Sequence, residues 1–440
     1  MDYLSLKVSH STQATFQQND VSKVWNREDM QWKAMQDKFP DYKFPHLEHS
    51  QFSECNDGVN KPVVIQDMKW SCDGTSITTI SNDTGIRQYL IPEETDDKND
   101  FNEGEHGTLL TPFIRKYKNR SIVCSEIHPL NSMYDEKYNF TLLSSRDMPI
   151  QMYNLSSENA GSSNVRYTYD IMNPLNEKFE VPYSIKIFPN QNDIFYTGAS
   201  GNKIKIYDMN RSSPINEYYS RRGRGSKSII SCFEDRSNNY VMNDKVMMWA
   251  NYKNEIGHLD TRCDPKDPRT MRSKHTIPRQ FGDGIYQMIR SDNDHYLYVL
   301  LRQANKIQIF DQRGTFEPIN TLMLPFKMGY QKHLAIIDED QGMVLGSDQG
   351  RLLNWDKSLI GSGGVIKGEA DSDNEAEVTI MKSKGSLTNK NAKIHIVSRN
   401  PSNEPTVSSY AIATSSDRKH YKLPSGPPPQ SSLSILTHTD

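Results

Sequence analysis

The densest set of side chains able to grip a phosphate lies in Ser220-Arg-Arg-Gly-Arg-Gly-Ser-Lys227, which brings Arg221, Arg222, Arg224 and Lys227 together. Guanidinium forks pair bidentately with phosphate oxygens, and interleaved glycines let a backbone approach closely. Tyr218 and Tyr219, immediately before this run, offer rings on which an unpaired base could stack. A second set, Arg115, Lys116, Lys118 and Arg120, alternates with an aromatic, Tyr117. The same composition also describes solvated surface loops, and both readings stay open at this level. If the two runs open on one face they make a positive rim, although the formal net charge of −3 gives no global pull toward nucleic acid or membrane.

No other constellation nominates a reaction. There is no G-x-S-x-G elbow, Walker loop or H-E-x-x-H run, and no pairing of Cys with His that would make a nucleophile and its base. Asp83, Asp147 and Asp348 fall in turn segments, where a short acceptor bonds nearby backbone N–H groups, so turn-making outweighs acid–base chemistry. Cys55, Cys72, Cys124, Cys232 and Cys263 are dispersed, with neither C-x-x-C nor zinc spacing, as expected of reduced, mostly buried thiols in an intracellular protein. No catalytic residue, metal site or cofactor is expected. The opening Met1-Asp-Tyr-Leu-Ser-Leu-Lys has no apolar signal core and no stretch approaches ~20 apolar residues, so a soluble, non-secreted chain is expected.

The elements that must position these side chains announce themselves through repetition. A pattern of apolar-x-apolar-aromatic-Asp, with departures at single positions, ends six units: Ile86–Leu90, Ile150–Asn154, Ile204–Asp208, Ile256–Asp260, Ile307–Asp311 and Leu352–Asp356. Each is preceded by two short alternating segments and a turn, as in Val64–Trp70, Ser71-Cys-Asp-Gly74, Ile77–Ile80 and Asn82-Asp-Thr-Gly85. Strand, turn, strand, turn, strand at this period predicts an all-β chain folded as a WD40-type β-propeller. Six repeats are recognisable; a strand in Tyr42–Cys55 pairing near the end of the repeats would complete seven blades and leave no open edge.

Around the propeller at 61–360 the sequence divides into an arm at 1–60, with a helix over 20–39, and a low-complexity stretch at 361–440. Val21, Val24, Trp25, Trp32, Met35 and Phe39 repeat at near-helical spacing between Asp20 and Pro40. An acidic inter-blade loop spans 93–106. From 361 onward the composition turns acidic (Asp371–Glu377), then basic (Lys382–Lys393), then proline-rich (Ser425–Gln430), which predicts a mostly disordered tail with a short strand in Ala376–Met381.

Three segments together resemble the telomerase Cajal body protein family of WD-repeat proteins: Lys69-Trp-Ser-Cys-Asp-Gly-Thr75, Ser144-Ser-Arg-Asp-Met-Pro-Ile150 and the basic run entering Ser226-Lys-Ser-Ile-Ile-Ser-Cys232. The resemblance spans roughly 60–356. It implies a non-catalytic nuclear propeller that binds small nuclear RNAs, with Arg146 at the family's Ser-Ser-Arg arginine and 221–227 at its basic loop. The abundance of Asn and Asp, the acidic insertion and the loss of most Trp-Asp endings place the chain nearer the divergent fungal branch, tied to pre-mRNA splicing. The resemblance therefore implies a nuclear splicing factor that contacts a spliceosomal small nuclear ribonucleoprotein through its RNA, its proteins or both, and acts as a monomer within a larger assembly. The alternatives are a trafficking factor for small nuclear or telomerase RNA, and an interaction scaffold with no RNA partner.

Overall fold

The repeated motif works because residues one and four of a strand point to opposite faces. In the third strand of blades one to six the leading aliphatic (Ile86, Ile150, Ile204, Ile256, Ile307, Leu352) packs against the following blade. The aromatic three positions on (Tyr89, Tyr153, Tyr207, Phe310, Trp355) packs against the preceding one. One short motif thus supplies both faces of a blade.

The computed structural model describes residues 6–12, 64–91, 108–110, 112, 114–118, 120–155, 165–173, 177–219, 228–236, 245–267, 270–338, 342–364, 375–376, 379–381, 392–401, 409–416 and 431–438. They form seven four-stranded antiparallel blades. From innermost to outermost strand, blade one is Ile65–Trp70, Ser76–Ser81, Gly85–Leu90 and Ile114–Tyr117, and blade two is Ile122–Ile127, Phe140–Ser145, Ile150–Asn154 and Val165–Tyr169. Blade three is Ser184–Lys186, Ile194–Ala199, Lys203–Asp208 and Asn216–Tyr219, and blade four is Ile230–Arg236, Val246–Asn251, Glu255–Asp260 and Met271–Thr276. Blade five is Ile285–Arg290, Tyr296–Leu301, Lys306–Asp311 and Pro318–Met323, and blade six is Ile336–Asp338, Gly342–Gly346, Leu352–Trp355 and Thr379–Met381. Blade seven joins the two ends of the chain: Ala392–Arg399, Ser409–Ser416 and Ser431–His438, with Leu6–Ser11 as the outermost strand.

The seventh blade corrects two expectations. The closing strand is Leu6–Ser11, paired antiparallel with Ser431–His438, and not Tyr42–Cys55, which lies outside the described residues together with the expected helix at 20–39. Three strands of the blade come from 361–440, the stretch read as mostly disordered. They were hidden because none ends in an aromatic and Asp, and polar connections between them lower the average hydropathy of any window. The strand expected in Ala376–Met381 is present as Thr379–Met381, the outermost of blade six.

Seven apolar clusters lie between neighbouring blades, one per junction, so the ring is continuous. The junction of blades seven and one holds Ile65, Trp70, Tyr89, Ile396, Ala411 and Leu433; that of six and seven holds Leu6, Val344, Ile394 and Leu436. The fourth motif's departure from the pattern has a local answer. Leu259 stands where an aromatic is usual, and Trp249 on the adjacent strand fills the junction with blade three, lying against Gly257, where an added Cβ would come within 2.2 Å of the indole. Between blades four and five the innermost strands pair in parallel, and there the fully buried Glu234 is held by Arg236 and, through two hydrogen bonds of 2.8 and 2.5 Å, by Arg290.

Leu6 is fully buried in the strand that closes the ring. Its replacement by Ala is expected to lower unfolding free energy by about 2–5 kcal/mol, as for other buried leucines. An unchanged urea midpoint would show that this strand does not seal the fold.

Candidate nucleic-acid interface

Antiparallel order inside each blade decides which connections share a face. Turns between second and third strands open on the same side as the links that carry the chain from one blade's outermost strand to the next blade's innermost strand. We call this the link face. Connections between first and second strands, and between third and outermost strands, open on the opposite face.

Arg146 sits in the second-to-third turn of blade two, beside Asp147 at φ 56°, and is exposed on the link face. Arg120, in the link from blade one to blade two, is exposed on the same face. Arg221, Arg222, Arg224 and Lys227 lie outside the described residues. The strands that bracket them end at Tyr219 and resume near Ser228, again on the link face, where Asn202 N donates to the Ser228 carbonyl at 2.8 Å. The acidic segment 93–106 and Asp371–Glu377 fall in connections whose bracketing strands end on the opposite face.

Other candidates are turned away from solvent. Tyr218 is 1% exposed and packs with Ile204 and Trp249, whereas Tyr219 is 43% exposed, because successive residues on a strand face opposite ways. Tyr218 therefore offers no stacking surface. Lys116 and Lys118 share the inward side of the chain leaving blade one. The Lys116 ammonium donates to the Asn154 carbonyl at 2.5 Å, and that of Lys118 lies 5.5 Å from the centre of the Tyr153 ring. Burial brings both amines down to about 8, which still leaves them mostly cationic near neutral pH, and it is their engagement with the Asn154 carbonyl and the Tyr153 ring that keeps them from serving as ready phosphate ligands. The Arg115 backbone pairs with Arg87, and its side chain lies outside the described residues.

Sequence reasoning missed the charges of the central channel, a cavity of about 680 Å³ lined by the innermost strands. Lys186 from blade three bonds Asp235 of blade four at 2.5 Å and lies 3.9 Å from Glu126 of blade two. Ser125 donates to Asp67 at 2.7 Å, and Lys69 donates to the Ile127 carbonyl at 3.1 Å. Burial pushes the Glu126 carboxyl up and the Lys69 amine down. Burial also opposes charge on Lys186, but Asp235 and Glu126 outweigh it and raise its pKa. Asp235 and Glu126 are thus engaged by Lys186 of the blade between them and Asp67 by Ser125, in an arrangement that orients the inner strands. Polar residues at alternate positions of the innermost strands, such as Asp67 and Lys69, were the available signal.

No family model matches the chain. Curated relatives do. Protein SWT21 of Vanderwaltozyma polyspora is 35% identical over 365 residues, covering 81% of each chain. Protein SWT21 of Zygosaccharomyces rouxii is 33% identical over 429 residues, covering 96% of this chain and 95% of its own. The chain belongs to the SWT21 family. A third SWT21, from Saccharomyces cerevisiae, is 36% identical over 318 residues, 70% of this chain and 84% of its own length.

Two buried histidines predict that this SWT21-family ring loses stability in acid. His395 Nε2 donates to the Ile65 carbonyl at 2.6 Å, bridging blades seven and one, and His128 Nε2 meets the Asn192 carbonyl at 3.0 Å. Burial holds both at about 4. The unfolded chain, with histidines near 6.5, takes up these protons first, so their contribution is complete above about pH 6.5 and is lost as pH falls toward 4. Urea unfolding at stepped pH is expected to show a loss of about 2–3 kcal/mol per histidine over that window. His395→Asn should flatten the slope; an equally steep variant would contradict the assignment.

Proposed function

We propose that this SWT21-family propeller is a nuclear, non-catalytic factor that assists pre-mRNA splicing by binding a spliceosomal small nuclear ribonucleoprotein. The observation that carries the reading is the shared link face of Arg120, Arg146 and the two chain ends that bracket Arg221–Lys227. Cations gathered there would meet an RNA backbone or an acidic protein surface without competition from the acidic insertions, whose bracketing strands end on the opposite face. The resemblance of Ser144–Ile150 and of Ser226–Cys232 to a small-nuclear-RNA-binding family points the same way. A rigid ring with many independent connections suits a factor that favours one assembly state by binding it better than its alternatives. The channel carboxylates Glu126 and Asp235 are engaged by Lys186, which supports a binding role over an enzymatic one.

The test is immunoprecipitation of the tagged protein from nuclear extract, with quantification of the co-purified RNA. Spliceosomal small nuclear RNAs are expected to be enriched over ribosomal and transfer RNA. Recovery at the background of an untagged strain would remove the ribonucleoprotein reading. Proteins recovered without RNA would favour a scaffold.

A further inference from the structure

Over blades four to six the link face carries a second group of side chains suited to nucleic acid, and no basic run in the sequence marks it. Tyr330, in the link from blade five to blade six, is 72% exposed, and Tyr252, in the second-to-third turn of blade four, is 37% exposed. Arg302, from the corresponding turn of blade five, connects them. Its guanidinium lies 4.8 Å from the centre of the Tyr252 ring, and its Nε donates to the Tyr330 carbonyl at 3.1 Å. The guanidinium is also 5.5 Å from the ring of Tyr286, which is buried beneath.

The support under these rings is ordered by hydrogen bonds. Asn254, at φ 62°, accepts from Gly284 N at 2.6 Å and donates to the Gly282 carbonyl at 2.8 Å, which fastens the blade-four turn to the link that follows it. Gly284 itself is at φ 82°, and an added Cβ would lie 3.1 Å from the Tyr252 ring. The connections 252–254, 277–284, 302–305 and 324–335, all among the described residues, carry Lys253, Arg279, Arg302, Lys327 and Lys332 against one carboxylate, Asp283. Exposed aromatics with a stacked arginine and surrounding lysines match an unpaired nucleotide strand, whose bases present ring faces that a duplex hides.

We propose that this cluster binds single-stranded RNA, stacking unpaired bases on Tyr252 and Tyr330 while Lys253, Lys327 and Lys332 contact phosphates. The inference rests on the RNA reading above and adds a place and a strand preference to it. A protein partner would also use exposed tyrosines; the excess of cations around these ones favours the polyanion.

The experiment is fluorescence anisotropy of the purified full chain with a labelled twelve-nucleotide oligouridylate and with a duplex of the same length, over a salt series. The single strand should bind more tightly than the duplex. Replacing both tyrosines by Ala should weaken it at least about thirtyfold, while Tyr330→Phe, which keeps the ring, should retain binding. Replacing Lys253, Lys327 and Lys332 by Ala should reduce the salt slope by about 2. Thermal midpoints equal to wild type establish that the variants fold; should Tyr252→Ala unfold the protein, Tyr330→Ala alone decides. Wild-type affinity in the folded tyrosine variants, with binding lost on replacing Arg221, Arg222 and Arg224, would overturn this site and leave the RNA reading standing. Failure of the wild-type protein to bind the oligonucleotide at low salt would overturn both.

Discussion

Everything in this molecule depends on one pairing of distant chain segments: Leu6–Ser11 alongside Ser431–His438. A propeller blade cannot bury both of its faces alone, and an open arc would expose one apolar face at each end. Pairing the first strand with the last turns the arc into a ring and covers Leu6 and Leu436 against Val344 and Leu352 of blade six. Two outer edges are extended by a further short strand, and one link carries a hairpin of its own. Thr108–Leu109 pairs with Ser11 and His10, Glu375–Ala376 pairs with Leu322 and Thr321, and the hairpin of Met172–Asn173 with Lys178–Phe179 fills the link from blade two. The two added strands place the ends of acidic segments against the outermost strand of the preceding blade, which also limits edge-to-edge association.

Closure has a consequence for function. Once the ring is complete, the face on which each connection opens, and with it the face on which the charged segments lie, follows from strand count. Arg120, Arg146, Lys253, Lys327 and Lys332 open on one face, while the strands flanking 93–106 and Asp371–Glu377 end on the other. A chain of nearly balanced total charge can in this way present a cationic surface, since a field near a surface depends on local charges within about 8–10 Å in physiological salt. The channel charges take part differently. Lys186 with Asp235 and Glu126 ties blades two, three and four together at the axis, so their contribution is to blade orientation.

The architecture was legible because its signal is local and repeated. A strand whose first residue serves one neighbour and whose fourth serves the other writes its packing into four consecutive positions, and six strands do so. Blade seven was illegible for the matching reason: Ala411, Ala413, Leu433 and Ile435 pack against blade one without an aromatic, so nothing marks the strand ending, and polar connections on either side dominate any average. Side-chain direction was the other limit. Lys116, Lys118 and Tyr218 were nominated by type, but alternation along a strand decides which of two adjacent residues meets water, and that register is set by contacts with Tyr153, Asn154 and Trp249 in other blades. Tyr252, Arg302 and Tyr330 come from three connections separated by dozens of residues, and only the ring brings them together.

The pairing that closes the ring can be tested by trapping it. Lys7 stands opposite Thr437, so cysteines at these two positions are within reach of a disulfide. In a background with Cys55 and the exposed Cys72 and Cys263 replaced by Ser, mild oxidation should cross-link the Lys7→Cys, Thr437→Cys protein into a circular chain with shifted gel mobility under non-reducing conditions. A Lys7→Cys, Ser431→Cys control, displaced along the same strand, should not react. Absence of the cross-link in the first protein, or equal reaction in both, would contradict a ring closed by Leu6–Ser11.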